Sequence, residues 1–228
     1  MAESMHRDPD HSQRIWAGDQ TALVQSHEKF LTDPEGQFVA YMSDLYAFRD
    51  RPLARSELIA FTPEILERSH PDALFFRSVS PREYADRADV LSAILAWMPG
   101  EQSRSLRETS LTLAKDALRM CPRTPGGHTE MFLAIRAAVL TLEINGTSGL
   151  WEACNLLDLG TWLVARRVRD RNQRARVYRA LADFHRRTAK MGLRSGWIFA
   201  GCYFLAALLV PGIPWDVRRK TFRALWAH

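Results

Sequence analysis

The 228-residue sequence lacks the residue patterns of the common catalytic and cofactor sites. It contains no G-x-S-x-G, no G-x-x-x-x-G-K-[ST] and no G-x-G-x-x-G, which excludes the usual forms of the nucleophile elbow, the P-loop and the dinucleotide fingerprint. It predicts no metal site and no cofactor. We therefore expect a non-enzymatic protein; an enzyme is the alternative if titratable side chains from separate segments meet in the fold.

Cysteine and lysine are both scarce. The three cysteines, Cys121, Cys154 and Cys202, are widely spaced, which favours reduced thiols in a cytoplasmic protein. The segment after Met1 has no apolar run, so we expect no signal peptide. Arginine outnumbers lysine 27 to 4, a bias that GC-rich codons produce and that points to a bacterial source.

No long hydrophobic run is present either. The longest, Trp197–Val210, has 14 residues, whereas a membrane span needs about 20. Basic residues flank it on both sides, a distribution that gives no clear orientation across a membrane. We predict a buried core helix here. The alternative is a segment that associates with a membrane surface, extending over residues 197–226.

Strand patterns are missing as well, because no run alternates β-branched and polar residues between hairpin turns. Apolar residues recur at helical spacing instead, which predicts an all-α bundle of about eight or nine helices. Ser80-Pro81-Arg82-Glu83 has the pattern of a capping box and predicts a helix start. Prolines divide residues 50–79, where we expect a loop with single-turn helices.

The two halves of the chain differ in charge. The first 114 residues hold 12 basic and 18 acidic side chains, and the last 114 hold 19 and 8, giving net charges of −6 and +11. We predict a flexible arm over 1–12, an acidic helical half over 13–121 and a basic, hydrophobic helical half over 128–228, which can form one continuous domain. The basic half has the spacing of two helical hairpins, 129–167 and 171–210, although a plain bundle explains the same pattern.

The strongest functional signal is a basic helix predicted over 171–191. Residues 165–190 contain ten basic and two acidic side chains. On a helical wheel the apolar side chains share one face and most of the basic ones share the other, so we expect a docked face and a basic face in solvent. The predicted partner-binding residues are Arg176, Arg179, Arg186, Arg187 and Lys190 on this helix, and Arg218, Arg219 and Arg223 near the C-terminus.

An electropositive face of this kind suits an anionic partner. The leading hypothesis is a regulatory, adaptor or inhibitor protein that binds an acidic protein through the basic helix. Sequence-independent nucleic-acid binding is an alternative, since the arginines could contact phosphates. Peripheral association with an anionic membrane through residues 197–226 is a further alternative.

Overall fold

A computed structural model describes residues 11, 14–15, 17–70, 73–77, 79–120, 129–157, 168, 170–213, 215, 218–219 and 222. These residues form α-helices and two short 3₁₀ segments, and no β-strand occurs among them. Eight of the ten α-helices that can be delimited have nine residues or more. The predicted all-α bundle of about eight or nine helices is confirmed.

Of the helices that can be delimited among the described residues, the first six belong to the acidic half of the chain. They are α1 (Gln20–Thr32), α2 (Pro34–Ala47), α3 (Pro52–Ala60), α4 (Thr62–Arg68), α5 (Pro81–Trp97) and α6 (Ser103–Met120). A 3₁₀ segment, Leu74–Phe76, lies between α4 and α5.

The remaining helices belong to the basic half. They are α7 (Thr129–Asn145), α8 (Leu150–Leu156), α9 (Arg171–Lys190) and α10 (Ser195–Leu209), with a 3₁₀ segment, Gly146–Gly149, before α8. Residues 158–167 lie outside the described residues, and with them much of the predicted 129–167 hairpin.

Side-chain caps fix where several helices begin. The Ser80 hydroxyl accepts a hydrogen bond from the Glu83 backbone N–H at 3.2 Å, which confirms the helix start predicted there. The Glu83 carboxylate binds Arg87 at 2.5 Å. Asp170 caps α9 in the same way, since its Oδ1 accepts from the Gln173 backbone N–H at 2.8 Å.

The prediction of a loop with single-turn helices over 50–79 is wrong for most of that segment. Helices α3 and α4 occupy residues 52–60 and 62–68. Pro52 and Pro63 stand in the first turns of these helices, where the missing N–H has no helical acceptor to lose. The prolines therefore start helices here.

The main core lies among α1–α6 and one side of α7. Its largest fully buried side chains include Phe38, Tyr41, Met42, Leu45, Leu58, Ile65, Leu91, Ile94, Leu95 and Leu133. Arg68 covers part of this core, because its guanidinium lies 4.1 Å from the centre of the Phe38 ring and binds Glu35 and Glu64. Arg68 is thus paired with carboxylates of its own half.

Helix α7 connects the two halves. Its residues Leu133 and Ala137 belong to the main core, while Met131 and Ile135 pack with α9 and the end of α10. Arg136, on the same helix, donates from Nη1 to the α5 residue Asp89, 2.6 Å from Oδ1. The packing across α7 is therefore continuous.

Helices α9 and α10 form the antiparallel hairpin that the sequence predicts over 171–210. Gly196 lies so close to the end of α9 that an added Cβ would be 2.5 Å from the His185 carbonyl oxygen. At the other end, Val210 and Ile213 pack with Ala175 and Val177 of α9. Glycine at 196 lets the two backbones approach closely.

The prediction of a buried core helix over Trp197–Val210 is wrong for one side of that helix. Only Gly196, Ala200, Phe204 and Ala207 of α10 are buried, and they line the side that faces α9. Ile198 and Leu209, on the opposite side, are 71% and 77% exposed. Apolar composition predicted burial, but α10 is an outer helix whose far side is not covered.

Candidate binding surface

The basic helix forms as predicted, with its apolar side docked. Val177, Leu181, Phe184 and Thr188 are buried on α9. On its basic side Arg187 and Lys190 are exposed, while Arg176, Arg179 and Arg186 are half-buried. The structure thus places five of the eight predicted partner-binding residues along α9, but not all of them in open solvent.

Intramolecular ion pairs use part of this charge. Arg187 pairs with Glu143 of α7, and Arg186 pairs with Asp183, one turn earlier on α9, at 3.3 Å. Burial and the neighbouring Arg179 lower the pKa of Arg176. Charge on α9 is therefore partly balanced within the molecule, and Lys190 projects at its exposed end.

The C-terminal basic residues lie beyond α10. Arg219 is exposed, and Arg218 is half-buried, with Nη2 3.3 Å from the Val210 carbonyl oxygen. Arg223 lies outside the described residues. The structure therefore brings Arg218 to the end of α10, a contact that the sequence did not predict.

The most distinctive surface is the uncovered side of α10. We call it the α10 apolar face; its exposed residues are Trp197, Ile198, Phe199, Cys202, Leu205 and Leu209. Four of them follow the spacing i, i+4, i+7, i+11, which keeps them on one side of a helix. Large apolar side chains grouped in this way typically mark a binding surface.

Positive charge borders this face at both ends. No charged residue occurs between Arg194 and Asp216. Lys190 and Arg194 are exposed before α10, and Arg219 is exposed after it. Trp215, which follows α10, is 76% exposed. The resulting pattern is an apolar stretch bordered by cations, with tryptophans near each end.

Stacked side-chain rings of α9 and α10 lie beneath the α10 apolar face. The His185 ring lies parallel to the Tyr203 ring, with centroids 5.4 Å apart, and 5.3 Å from the Phe199 ring. Burial lowers the pKa of His185 to about 4, so this histidine is neutral near pH 7. The stack therefore joins α9 to α10 by apolar contact, a role that the sequence analysis missed.

Two polar clusters in the acidic half were also missed. The buried Asp44 carboxylate accepts a hydrogen bond from Ser26 at 2.7 Å and lies 3.1 Å from His11 Nε2. His11 belongs to the segment predicted as a flexible arm; residues 1–10 and 12 lie outside the described residues. These contacts satisfy a buried carboxylate and tie the start of the chain to α2.

The second cluster centres on Tyr41. Its hydroxyl donates to Glu57 Oε1 at 2.5 Å and lies 2.7 Å from His27 Nδ1. Burial, together with the Glu57 carboxylate, raises the pKa of Tyr41, which keeps it protonated as a donor. The partners lie 14 and 16 residues away in sequence, so no local motif could have identified them.

The described residues lack both a cluster suited to a metal ion and a helix suited to a membrane span. Within them, no group of three His, Cys, Asp or Glu side chains is placed to hold a metal ion. No helix in the same ranges is long and apolar enough to cross a bilayer.

Comparison with known proteins adds no family or relative. The chain matches no family model, no curated protein and no solved structure.

Proposed function

We propose that this protein binds the surface of anionic membranes peripherally, through α10 lying in the plane of the bilayer. The α10 apolar face is the observation that supports this proposal most. A helix with an apolar face and basic residues around it partitions into the headgroup region, with its apolar side toward the acyl chains. Helix α10 has 15 residues and a length of about 22 Å, so in-plane binding suits it better than crossing a core of about 30 Å.

Burial of the exposed side chains supplies the driving force. Full burial of one large aliphatic or aromatic side chain gives about 1.5–3 kcal/mol. Ile198, Phe199, Leu205 and Leu209 are half to three-quarters exposed. Their transfer to the interface would therefore contribute about 5 kcal/mol, to which Trp197 and Trp215 can add as aromatic anchors at headgroup level.

Charge favours a bilayer over a second copy of this chain. In an antiparallel dimer of α10, Arg194 of one copy would approach the Arg218–Arg219 end of the other; in a parallel dimer, each basic end would meet its own equivalent. Both arrangements bring like charges together, which is unfavourable. An anionic membrane attracts both ends at once, at about 1 kcal/mol for each basic residue near the surface.

The proposal also accommodates a cytoplasmic location. The free thiols of Cys154 and Cys202 suit a reducing compartment, and cytoplasmic leaflets carry anionic lipid. The acidic-protein and nucleic-acid hypotheses remain predictions. They depend on α9, where Arg186 and Arg187 already have carboxylate partners.

Vesicle flotation tests the proposal. Wild-type protein should float with vesicles of phosphatidylcholine and phosphatidylglycerol, and much less with phosphatidylcholine alone. Leu209→Glu should reduce binding by about tenfold or more, because it places a carboxylate in the apolar face. Leu53→Glu is the matched control: Leu53 is 87% exposed on α3, so the same substitution there should leave binding unchanged.

Two results would overturn the proposal. One is wild-type protein that stays at the bottom of the gradient with both kinds of vesicle. The other is equal loss of binding in Leu209→Glu and Leu53→Glu. If analytical ultracentrifugation instead shows a dimer that Leu209→Glu dissociates, and vesicles bind no protein, then the face is an interface between copies.

A further inference from the structure

Two arginines that are 47 positions apart in sequence meet the same turn at the end of α10. A Cβ added to Gly212 would lie 2.5 Å from Nη1 of Arg171 and 3.6 Å from its Cζ, so the Arg171 guanidinium covers this glycine. Gly212 has φ +74°, a backbone conformation that favours glycine. Because glycine has no side chain, there is also room for the Arg171 guanidinium. The first helical residue of α9 is thereby held at the turn that ends α10.

Arg218 follows this turn in sequence and contacts it as well. Its Nη2 lies 3.3 Å from the Val210 carbonyl oxygen. Its Nε is buried and has no hydrogen-bond partner. The Nε atoms of Arg87 and Arg107 are buried without a partner as well, so what distinguishes Arg218 is its contact with the turn that Arg171 also reaches.

The charges at this turn are not balanced by described carboxylates. Neither Arg171 nor Arg218 has an ion pair within the part of the chain that the structure describes. Asp170, next to Arg171, is engaged as the cap of α9. By contrast, Arg68 and Arg136 in the rest of the bundle each have a carboxylate partner.

We propose that Arg171 and Arg218 form a phosphate-binding site at the 210–212 turn. Guanidinium groups offer planar pairs of donors that match phosphate oxygens, and a phosphate at this turn would supply the negative charge that the described carboxylates do not. The site rests on the proposed membrane function: at the end of α10 it would hold the headgroup phosphate of an anionic lipid. Free phosphate carries the same chemistry, so the test must separate the two sources.

The first arm of the test measures vesicle binding. The double variant Arg171→Gln/Arg218→Gln is compared with Arg51→Gln/Arg55→Gln, which removes the same charge from two exposed arginines, one just before α3 and one within it. For vesicles containing phosphatidylglycerol we expect binding of the first variant to be about 30-fold weaker. Each lost charge removes about 1 kcal/mol of attraction to the membrane, and the paired donors of the two guanidinium groups are lost as well. The α3 variant should stay within about twofold of wild type. Circular dichroism checks that both variants fold.

The second arm uses inorganic phosphate without vesicles. Phosphate should raise the Tm of wild-type protein above its value in chloride of equal ionic strength, and should not raise that of Arg171→Gln/Arg218→Gln. Stabilisation by phosphate, with vesicle binding insensitive to the two arginines, assigns the site to free phosphate. Vesicle binding that depends on these arginines, without stabilisation by phosphate, assigns it to lipid.

Failure of this site and failure of the proposed function give different results. Equal vesicle binding by both double variants, without stabilisation by phosphate, overturns the site and leaves membrane binding intact. If wild-type protein binds no vesicles, the membrane function fails, and the phosphate arm alone decides the site. Stabilisation lost in the Arg171→Gln/Arg218→Gln variant then supports it, and no stabilisation overturns it.

Discussion

Apolar and charged side chains have different surroundings in the bundle of α1–α6 and in the hairpin of α9 and α10. In the bundle, aromatic and aliphatic residues such as Phe38 and Leu91 are buried on every packed side, and Arg68 is held by two carboxylates. In the hairpin, α10 is more apolar but keeps one side in solvent, and arginines at its end have no described carboxylate partner. The bundle thus buries its large core side chains and pairs Arg68, whereas the hairpin has an apolar side and terminal arginines that an external partner would satisfy.

The largest expected difference between the two regions concerns removal of one apolar side chain. Leu91→Ala should lower the free energy of unfolding by about 3 kcal/mol, because Leu91 is fully buried in the main core and its truncation leaves a cavity. Ile198→Ala should change it by no more than about 0.5 kcal/mol, since Ile198 is mostly exposed. Urea unfolding measures both. A large loss for Ile198→Ala would show that something in the free protein covers α10.

Ion pairs should show a smaller contrast in the same direction. Arg136→Met should cost about 2 kcal/mol, because Arg136 binds Asp89 and also donates to the Ser92 hydroxyl at 2.7 Å. Arg187→Met should cost at most about 1 kcal/mol, because its pair with Glu143 is exposed. The same unfolding measurements apply. Equal costs would contradict the view that the pair between α7 and α5 contributes more than the exposed pair on the hairpin.

A third expected effect is a dependence of the hairpin on pH. His185 has a pKa of about 4 in the folded protein and about 6.5 when unfolded, so the unfolded chain binds the extra proton first. The contribution of neutral His185 is therefore complete above pH 6.5 and declines as the pH falls toward 4. His185→Phe keeps a ring against Phe199 and Tyr203 but cannot titrate. Its Tm should fall less than that of wild type over this range; parallel curves would contradict the assignment.

Sequence patterns predicted the elements of this fold well where the signal was local. Ser80 accepts from the Glu83 N–H, and the apolar stripe of α9 docks as expected, because capping and helical spacing depend on neighbouring residues. The prolines of residues 50–79 suggested only single-turn helices, whereas Pro52 and Pro63 begin the longer helices α3 and α4. Hydropathy likewise recognised α10 as apolar but could not show what covers it.

The candidate sites depended more on distant contacts and were harder to predict. The basic residues of α9 were found from charge, but their pairing with Glu143 joins residues 44 apart. Arg171 reaches Gly212 only because the hairpin brings the start of α9 to the end of α10. The alternative of surface association over 197–226 was available from the sequence, and the exposed side of α10 is what now favours it.

The depth of Cys202 in a membrane tests the central claim most directly. Cys202 is exposed on the α10 apolar face and can be labelled with an environment-sensitive fluorophore once Cys121 and Cys154 are replaced by serine. With vesicles containing phosphatidylglycerol, the emission should shift to the blue, and lipids brominated along the acyl chains should quench it. Vesicles that bind the protein but leave the emission unchanged and unquenched would contradict an α10 that inserts its apolar face.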